Sequence, residues 1–357
     1  MIERLIRTHL KSFQPYRSAR SEVLEAHTLL DANELSFGSP IAFDAVSLNR
    51  YPDPLQRRLR AKLGVLLGVD PEAIFAGVGS DEIIDLLIRL FCEPAGDAVL
   101  ILEPTYGIYR VAAEVNNIDV CSAELNEVFQ IDVAKTLSAV TPHTKMIFCC
   151  SPNNPTGNLL RRTDIRKLCE GFPGIVVVDQ AYVEFADVCL GSSGSSEPNN
   201  LSGDALALEN LVVLRTLSKA WGLAGIRLGY CIADPVIVSY LLRIKAPYNV
   251  NAVTAEIALR ALENEAFLRR STSAVRGERD RLASALGSLS IISRVFPSDS
   301  NFLLVEFSDV QRAYEALAAA SISVRRRSEP RLQNCLRITV GTPEENDRVL
   351  RCLQECT

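Results

Sequence analysis

The stretch Leu211-Val212-Val213-Leu214-Arg215-Thr216-Leu217-Ser218-Lys219-Ala220-Trp221-Gly222-Leu223-Ala224-Gly225-Ile226-Arg227-Leu228-Gly229-Tyr230-Cys231-Ile232 sets two apolar runs around a segment of small and polar residues. Leu211–Leu214 and Leu228–Ile232 show no polar–apolar alternation, so each reads as a strand buried on both faces. Between them a lysine follows two hydroxyl residues, and an arginine comes eight residues later among small neighbours. A lysine with so little polar sequence around it is expected to be desolvated and close to a positive partner. Both effects favour the neutral amine, the nucleophile of Schiff-base chemistry. Thr216, Ser218 and Arg227 together offer hydroxyls and a forked donor pair to a phosphate dianion.

Outward from this stretch the same kind of run recurs at 98–102, 145–150 and 175–178. Helical patterns lie between the runs. Residues 81–91 carry apolar side chains at helical spacing, with Ser80 as the expected N-cap and acids in the first turn. Thr163 and Asp164 open a further helix towards Gly171. Strands separated by helices predict an α/β fold, a mostly parallel central sheet with helices on both faces. Asp187–Asp204, which contains Gly191-Ser192-Ser193-Gly194-Ser195-Ser196-Glu197-Pro198-Asn199-Asn200, reads as an exposed loop with strand-like sequence directly after it. A long, charged helical pattern at 252–287 leads into a smaller C-terminal α/β unit. That unit has expected strands at 302–307, 322–326 and 336–340 and helices at 310–320 and 344–354. The expected division is an N-terminal arm over 1–30, a large domain over 31–260 and a small domain over 261–357, with the N-terminal segment packing near the small domain.

In an open parallel sheet, ligands bind at the carboxyl ends of the strands. Three further clusters fall at such ends or at helix starts. Gly79-Ser80-Asp81 offers backbone N–H groups at the positive end of a helix, which suits a phosphate and equally suits an ordinary cap. Ser151-Pro152-Asn153-Asn154-Pro155-Thr156-Gly157 has the letters of a turn, but a turn does not require two central asparagines, and an Asn amide can donate to a ligand oxygen. Val178-Asp179-Gln180-Ala181-Tyr182 places a carboxylate at the end of an apolar strand, where burial is costly without a cation. A structural salt bridge would answer that need. A pyridinium nitrogen would also answer it, and the carboxylate would keep that nitrogen protonated. Tyr182 can aim its hydroxyl at the same ligand.

Composition narrows the alternatives. The chain has 357 residues, 38 Lys plus Arg against 43 Asp plus Glu, and a net charge of −5 without any basic tract. Neither nucleic acid nor an anionic membrane is indicated as a partner. No apolar stretch nears the roughly 20 residues that span a bilayer, and Glu3, Arg4, Arg7 and Lys11 interrupt any signal-like segment. Ten cysteines include no Cys-x-x-Cys pair, and Cys149-Cys150 lie inside an apolar run, so reduced thiols in a cytoplasmic protein are expected. Three histidines supply neither a zinc site nor a histidine-based triad; no metal is expected, and any proton shuttle uses another residue. No Gly-x-Gly-x-x-Gly turn supports a nucleotide-dependent oxidoreductase.

With these residues in place the chain resembles the fold-type I pyridoxal-phosphate aminotransferases, and within them the histidinol-phosphate aminotransferases. The resemblance extends from Phe13-Gln14-Pro15-Tyr16-Arg17-Ser18-Ala19-Arg20 to Leu336-Arg337-Ile338-Thr339-Val340-Gly341-Thr342. It is densest at Arg50-Tyr51-Pro52-Asp53, at Glu103-Pro104-Thr105-Tyr106-Gly107-Ile108-Tyr109, and in the 151–157 and 218–227 segments. It implies Lys219 as the Schiff-base lysine and proton carrier, Asp179 on the pyridine nitrogen, and Asn154 and Tyr182 on the ring oxygen. It implies Tyr106 against the ring face, and Gly79, Ser80, Asp81, Thr216, Ser218 and Arg227 around the phosphate. Tyr51 would reach that phosphate from a neighbouring subunit, implying a homodimer. Tyr16, Asn154, Arg325 and Arg337 would bind substrate, with Arg326 and Arg327 as alternatives to Arg325. The implied reaction converts L-histidinol phosphate and 2-oxoglutarate to imidazole acetol phosphate and L-glutamate, in histidine biosynthesis. Threonine-phosphate decarboxylase, an aromatic aminotransferase and a non-catalytic pyridoxal-binding regulator are the rival readings. Two departures stand out: Gln180 where the family has Glu, and Asn33-Glu34-Leu35-Ser36 where it has Asn-Glu-Asn-Pro.

Overall fold

Strands with apolar residues on both faces must be covered by helices on both sides, and this requirement organises the chain. The computed structural model describes residues 28–30, 33, 36, 52–186 and 201–356. In chain order the first elements are β1 (Thr28–Leu29), α1 (Arg57–Leu67), β2 (Ile74–Val78), α2 (Gly79–Phe91), β3 (Ala98–Glu103), α3 (Ile108–Val115), β4 (Asp119–Glu124) and α4 (Val133–Ser138). Then come β5 (Thr144–Cys150), α5 (Arg162–Gly171), β6 (Ile175–Asp179), α6 (Ser202–Ala207), β7 (Leu211–Thr216), β8 (Leu228–Ile232), α7 (Pro235–Ile244) and α8 (Ala252–Ala261). The C-terminal elements are α9 (Glu265–Gly287), β9 (Ile292–Val295), β10 (Phe302–Phe307), α10 (Val310–Ala319), β11 (Ile322–Ser323), β12 (Arg325–Arg326), β13 (Cys335–Thr339) and α11 (Pro343–Gln354).

A seven-stranded sheet runs in the order β2-β8-β7-β6-β5-β3-β4. Strands β3 to β7 pair in parallel. β8 is antiparallel to both of its neighbours. The connection from β7 to β8 spans only 217–227. That is too short for the helical crossover a parallel return needs, so the chain doubles back. Alternate strand residues face opposite sides: Ile147, Val176 and Val213 pack with α1, α5 and α8, while Phe148, Val177 and Val212 pack with α2, α3 and α7. Each such fully buried aliphatic side chain stabilises the fold by about 1.5–3 kcal/mol.

The C-terminal unit builds an antiparallel sheet, β12-β13-β10-β9, with a separate apolar cluster against α9, α10 and α11. Leu30 lies in that cluster, and β1 pairs in parallel with β11. Residues near the N-terminus are therefore stitched to the last third of the chain.

Several local expectations differ from the structure. Helix α2 begins at Gly79 with Val78 in the capping position, not at Ser80. Glu82 Oε2 accepts the Val78 amide, which leaves the Ser80 hydroxyl available to the cavity described below. The long pattern at 252–287 is two helices, broken at 262–264 where the Asn264 side chain caps α9. The 322–326 strand divides at Val324, because β11 pairs with β1 and β12 with β13. Most of the expected Asp187–Asp204 loop, residues 187–200, lies outside the described residues, and helix α6 takes Ser202 to Asp204 and precedes the next strand. Edge strand β4, Asp119-Val120-Cys121-Ser122-Ala123-Glu124, carries no apolar run because most of it stays partly open to solvent.

Candidate active site

The carboxyl ends of β5, β6 and β7, the start of α2 and strands β12 and β13 converge on a cavity of about 440 Å³. Lys219 reaches it from the β7–β8 connection, with Nζ 5.7 Å from the centroid of the Tyr182 ring. Tyr182 is buried, packs edge-on against Phe302 at 5.2 Å, and accepts a hydrogen bond of 3.2 Å from Asn33 Nδ2. Burial raises its phenol well above the ordinary range, so it remains protonated and able to donate at neutral pH.

Asp179 ends β6 and is 3% exposed. Its Oδ2 accepts the Tyr109 hydroxyl at 2.9 Å and its Oδ1 accepts the Ala181 amide at 3.0 Å. Burial pushes the carboxyl up to about 6, against the lowering effect of those two donors. Two neutral hydrogen bonds thus compensate desolvation only partly, and a cation placed against this carboxylate would complete the compensation. A protonated ring nitrogen is such a cation.

Opposite this carboxylate, α2 begins with Gly79 at φ +74 and directs its free end at the cavity, with Ser80 and Asp81 on the wall. A Cβ on Gly229 would lie 2.4 Å from Ser80 N, and one on Gly79 would lie 2.8 Å from Arg227 Nη2. Only glycine at both positions lets β8, the helix start and the guanidinium come this close. Arg227 has φ 53 and donates to Asp81 Oδ2 across 3.1 Å. Thr216 Oγ1 accepts the Ser218 amide at 3.1 Å and lies 2.9 Å from Ser218 Oγ. Thr216 therefore orients Ser218. Amides, hydroxyls and a guanidinium around one corner make a donor set for a phosphate.

The two asparagines of the 151–157 turn have separate roles. Asn153 is consumed by the loop itself, donating to Pro104 O at 2.9 Å and to Thr156 Oγ1 at 2.7 Å, and accepting from Thr105 Oγ1 at 3.0 Å. Asn154 faces the cavity and accepts from Arg337 Nη1 at 2.6 Å. Tyr106 lines the same cavity, held edge-on to Tyr109 at 5.6 Å.

The remaining wall is basic. Arg325 of β12 is paired directly with Arg337 of β13, and both line the cavity. Arg326 and Arg327 also line the cavity, but Arg326 is exposed and bonds Gln311, and Arg327 pairs with Glu329. Two guanidinium groups on directly opposed residues repel one another, so the arrangement favours an anion bound at this wall.

Twelve sequence-predicted positions therefore share one cavity, and Gly79 adjoins it; Tyr16 and Tyr51 lie outside the described residues. Sequence reasoning missed Asn33 and Tyr109 as individual contributors. Asn33 is fixed by Thr339, whose hydroxyl donates to Asn33 Oδ1 at 2.7 Å, and it ties the N-terminal segment to Tyr182. Its signal was the Asn33-Glu34 pair, weakened by the departure that follows it. Tyr109 is fully buried and stacks on Phe148 at 4.9 Å; it stood at the end of a quoted motif with no role attached.

The family model of class I and II aminotransferases matches residues 20–353. The chain belongs to that family. This aminotransferase is 46% identical over 352 residues to a histidinol-phosphate aminotransferase of Parabacteroides distasonis, covering 98% of this chain and 97% of that one. It is 44% identical over 358 residues to one of Cytophaga hutchinsonii, covering 99% and 98%. A solved histidinol-phosphate aminotransferase of Sinorhizobium meliloti, in complex with pyridoxal-5′-phosphate, matches with a TM-score of 0.84 at 22% identity over 98% of this chain and 97% of that one. At that identity the likeness concerns the fold alone. Among the described residues of this aminotransferase no group of three or more His, Cys, Asp or Glu is placed to hold a metal, and no helix is long and apolar enough to cross a membrane.

Proposed function

We propose that this aminotransferase uses pyridoxal 5′-phosphate to transfer the amine of L-histidinol phosphate to 2-oxoglutarate, giving imidazole acetol phosphate and L-glutamate in histidine biosynthesis. The observation that carries the substrate reading is the Arg325–Arg337 pair, two guanidinium groups opposed on the cavity wall beside Asn154. A phosphate ester or a carboxylate accepts forked donors from such a pair, so one wall serves both the phosphorylated amine and the dicarboxylate. The curated relatives named above support the same reading.

The residues present fit the cofactor. Ser80, Asp81, Ser218 and Arg227 would hold its phosphate, Asp179 its ring nitrogen, Tyr182 and Asn154 its ring oxygen, and Tyr106 its face. When bound, the cofactor supplies a carbonyl that exchanges between amines and a ring that takes up negative charge. Lys219 is the covalent anchor and the base that moves the proton of the substrate carbon bearing the amine. Asp179 keeps a proton on the ring nitrogen by placing a buried negative charge beside it. Tyr182 donates its hydroxyl hydrogen, held in line by Phe302 and Asn33.

The cofactor-binding sheet belongs to the unit we assign to residues 31–260, and the arginine wall to the unit at 261–357, so substrate binds between them. A cytoplasmic homodimer, with Tyr51 completing the neighbour's phosphate site, is part of the same proposal and rests on the family resemblance.

The test is a half-reaction panel. Purified enzyme is mixed separately with histidinol phosphate, tyrosine, phenylalanine and threonine phosphate, and cofactor absorbance is followed. Histidinol phosphate is expected to convert the cofactor to its amine form fastest. Failure with histidinol phosphate alongside ready conversion by an aromatic amino acid would overturn the substrate.

A further inference from the structure

Strands β12 and β13, which present Arg325 and Arg337, are joined by the segment 327–334, and Arg327, Ser328 and Glu329 of that segment roof the cavity. A short strand at a sheet edge has little to hold its twist or register beyond its own ladder, and β12 has only two residues. Its angle over the cavity therefore depends on how the roof is tied down.

One side chain ties it to the loop that follows β4. The Arg331 guanidinium lies 4.8 Å from the centroid of the Phe129 ring and donates to the carbonyl oxygens of Leu125 and Asn126, the latter at 2.8 Å. Leu125 to Ile131 follow β4 of the large sheet, so this contact spans from the roof to the cofactor-binding sheet. The receiving loop is built to hold still. Asn126 Oδ1 accepts the amides of Val128 and Gln130, at 3.0 and 2.9 Å. Phe129 is kept at φ 56, a costly conformation for a bulky residue, and is nevertheless 6% exposed. Its ring meets Phe296 at 5.6 Å, and the Arg294 guanidinium covers Phe296 at 4.4 Å. Asn158, just beyond the Asn154 turn, donates to Phe129 O at 2.9 Å. Phe129 thus joins the roof, the C-terminal sheet and the loop that carries Asn154.

We infer that Arg331, seated on Phe129, is a positioning residue that sets the angle of the Arg325–Arg337 pair towards the substrate anion. It touches neither substrate nor cofactor; it acts by holding the roof. This role rests on the substrate reading above. A guanidinium lays its plane on the ring while its fixed fork reaches two carbonyls, an arrangement that a tetrahedral ammonium does not reproduce, so Arg331→Lys keeps the charge and loses the geometry.

The experiment compares wild type, Arg331→Leu, Arg331→Lys and Phe129→Leu as cofactor-loaded enzymes. The expected result is a rise of about tenfold in KM for both histidinol phosphate and 2-oxoglutarate in Arg331→Leu, with kcat within about threefold of wild type. Arg331→Lys is expected between the two, and the absorbance spectrum and cofactor affinity stay unchanged throughout. Limited trypsin digestion supplies a readout independent of substrate: fragments ending at Arg325, Arg326 or Arg327 should form several times faster in Arg331→Leu and Phe129→Leu. Unchanged KM values and unchanged cleavage would overturn the inference, as would parallel loss of kcat and cofactor affinity. Should wild type itself fail to turn over histidinol phosphate while the cleavage difference persists, the substrate reading fails and the tethering role of Arg331 stands.

Discussion

Arg337 Nη1 donates to Asn154 Oδ1 across 2.6 Å, joining the last strand of the C-terminal sheet to the turn after β5. A guanidinium only donates, so the contact fixes which end of the Asn154 amide is oxygen. The amide nitrogen is left as the donor for a ligand. In the proposed reading Asn154 stands between cofactor and substrate: its acceptor holds Arg337 and its donor would serve the ring oxygen.

Asn154→Asp should separate these roles. The acceptor for Arg337 is retained while the donor is lost and a negative charge is added near the ring. We expect cofactor affinity to fall by about tenfold or more and the pH midpoint of the bound cofactor's absorbance to shift, with the fold unchanged. A spectrophotometric pH titration checks this; an unaltered midpoint would speak against the assigned orientation.

Asp179 carries a pH signature in the cofactor-free enzyme. Its folded-state value, about 6, lies above its ordinary value of 3.8, so the folded chain binds the proton more tightly than the unfolded chain. Stability from this group is therefore fully present below 3.8 and is lost as pH rises through about 6. The difference in Tm between cofactor-free wild type and Asp179→Asn should change across that window and be flat above it. Asp179→Asn should also lower kcat by roughly three orders of magnitude, since the ring nitrogen loses its anionic partner.

Gly229→Ala should dismantle the phosphate corner without touching a catalytic group. Its Cβ would lie 2.4 Å from Ser80 N and 2.5 Å from Gly79 C, both backbone atoms that cannot rotate away. Separating β8 from the start of α2 is expected to weaken cofactor binding by about a hundredfold, measured by titration of the cofactor-free protein. Binding as tight as wild type would show that the close approach is dispensable.

The arginine run gives a contrast in adjacent residues. Arg325→Ala should raise KM for histidinol phosphate by about ten- to a hundredfold, with the larger effect at low salt. Arg326→Ala should leave KM within about twofold, because its exposed guanidinium is already bonded to Gln311. Equal effects from the two variants would place the anion elsewhere.

Borohydride treatment followed by peptide mass analysis tests the anchor. Cofactor should be fixed on the peptide carrying Lys219 in wild type and on no peptide in Lys219→Ala. Turnover of that variant should fall by at least about four orders of magnitude.

Much of this was legible along the chain because the relevant patterns are local. Leu211–Leu214 and Ile175–Val178 announce central strands by lacking alternation, and Lys219, Asp179 and Asn154 lie within a few residues of such strand ends. β4 was not legible, because an edge strand half open to water needs no apolar run. Ser80 was expected both as the N-cap and at the phosphate; it lines the cavity, while Val78 takes the capping position with its amide held by Glu82.

What the sequence determined by itself is the set of chemical groups and the strands that deliver them, because apolar runs and turn residues act through nearest neighbours. What only the tertiary structure decided is which partners ambiguous residues meet. Arg325, Arg326 and Arg327 are chemically identical and all line the cavity, and only the tertiary structure sets Arg325 opposite Arg337, Arg326 against Gln311 and Arg327 against Glu329. The Tyr109 bond to Asp179, the Asn33 bond to Tyr182 and the seat of Arg331 on Phe129 are likewise long-range choices. They join residues tens to hundreds of positions apart, where no local pattern in the chain records the partner.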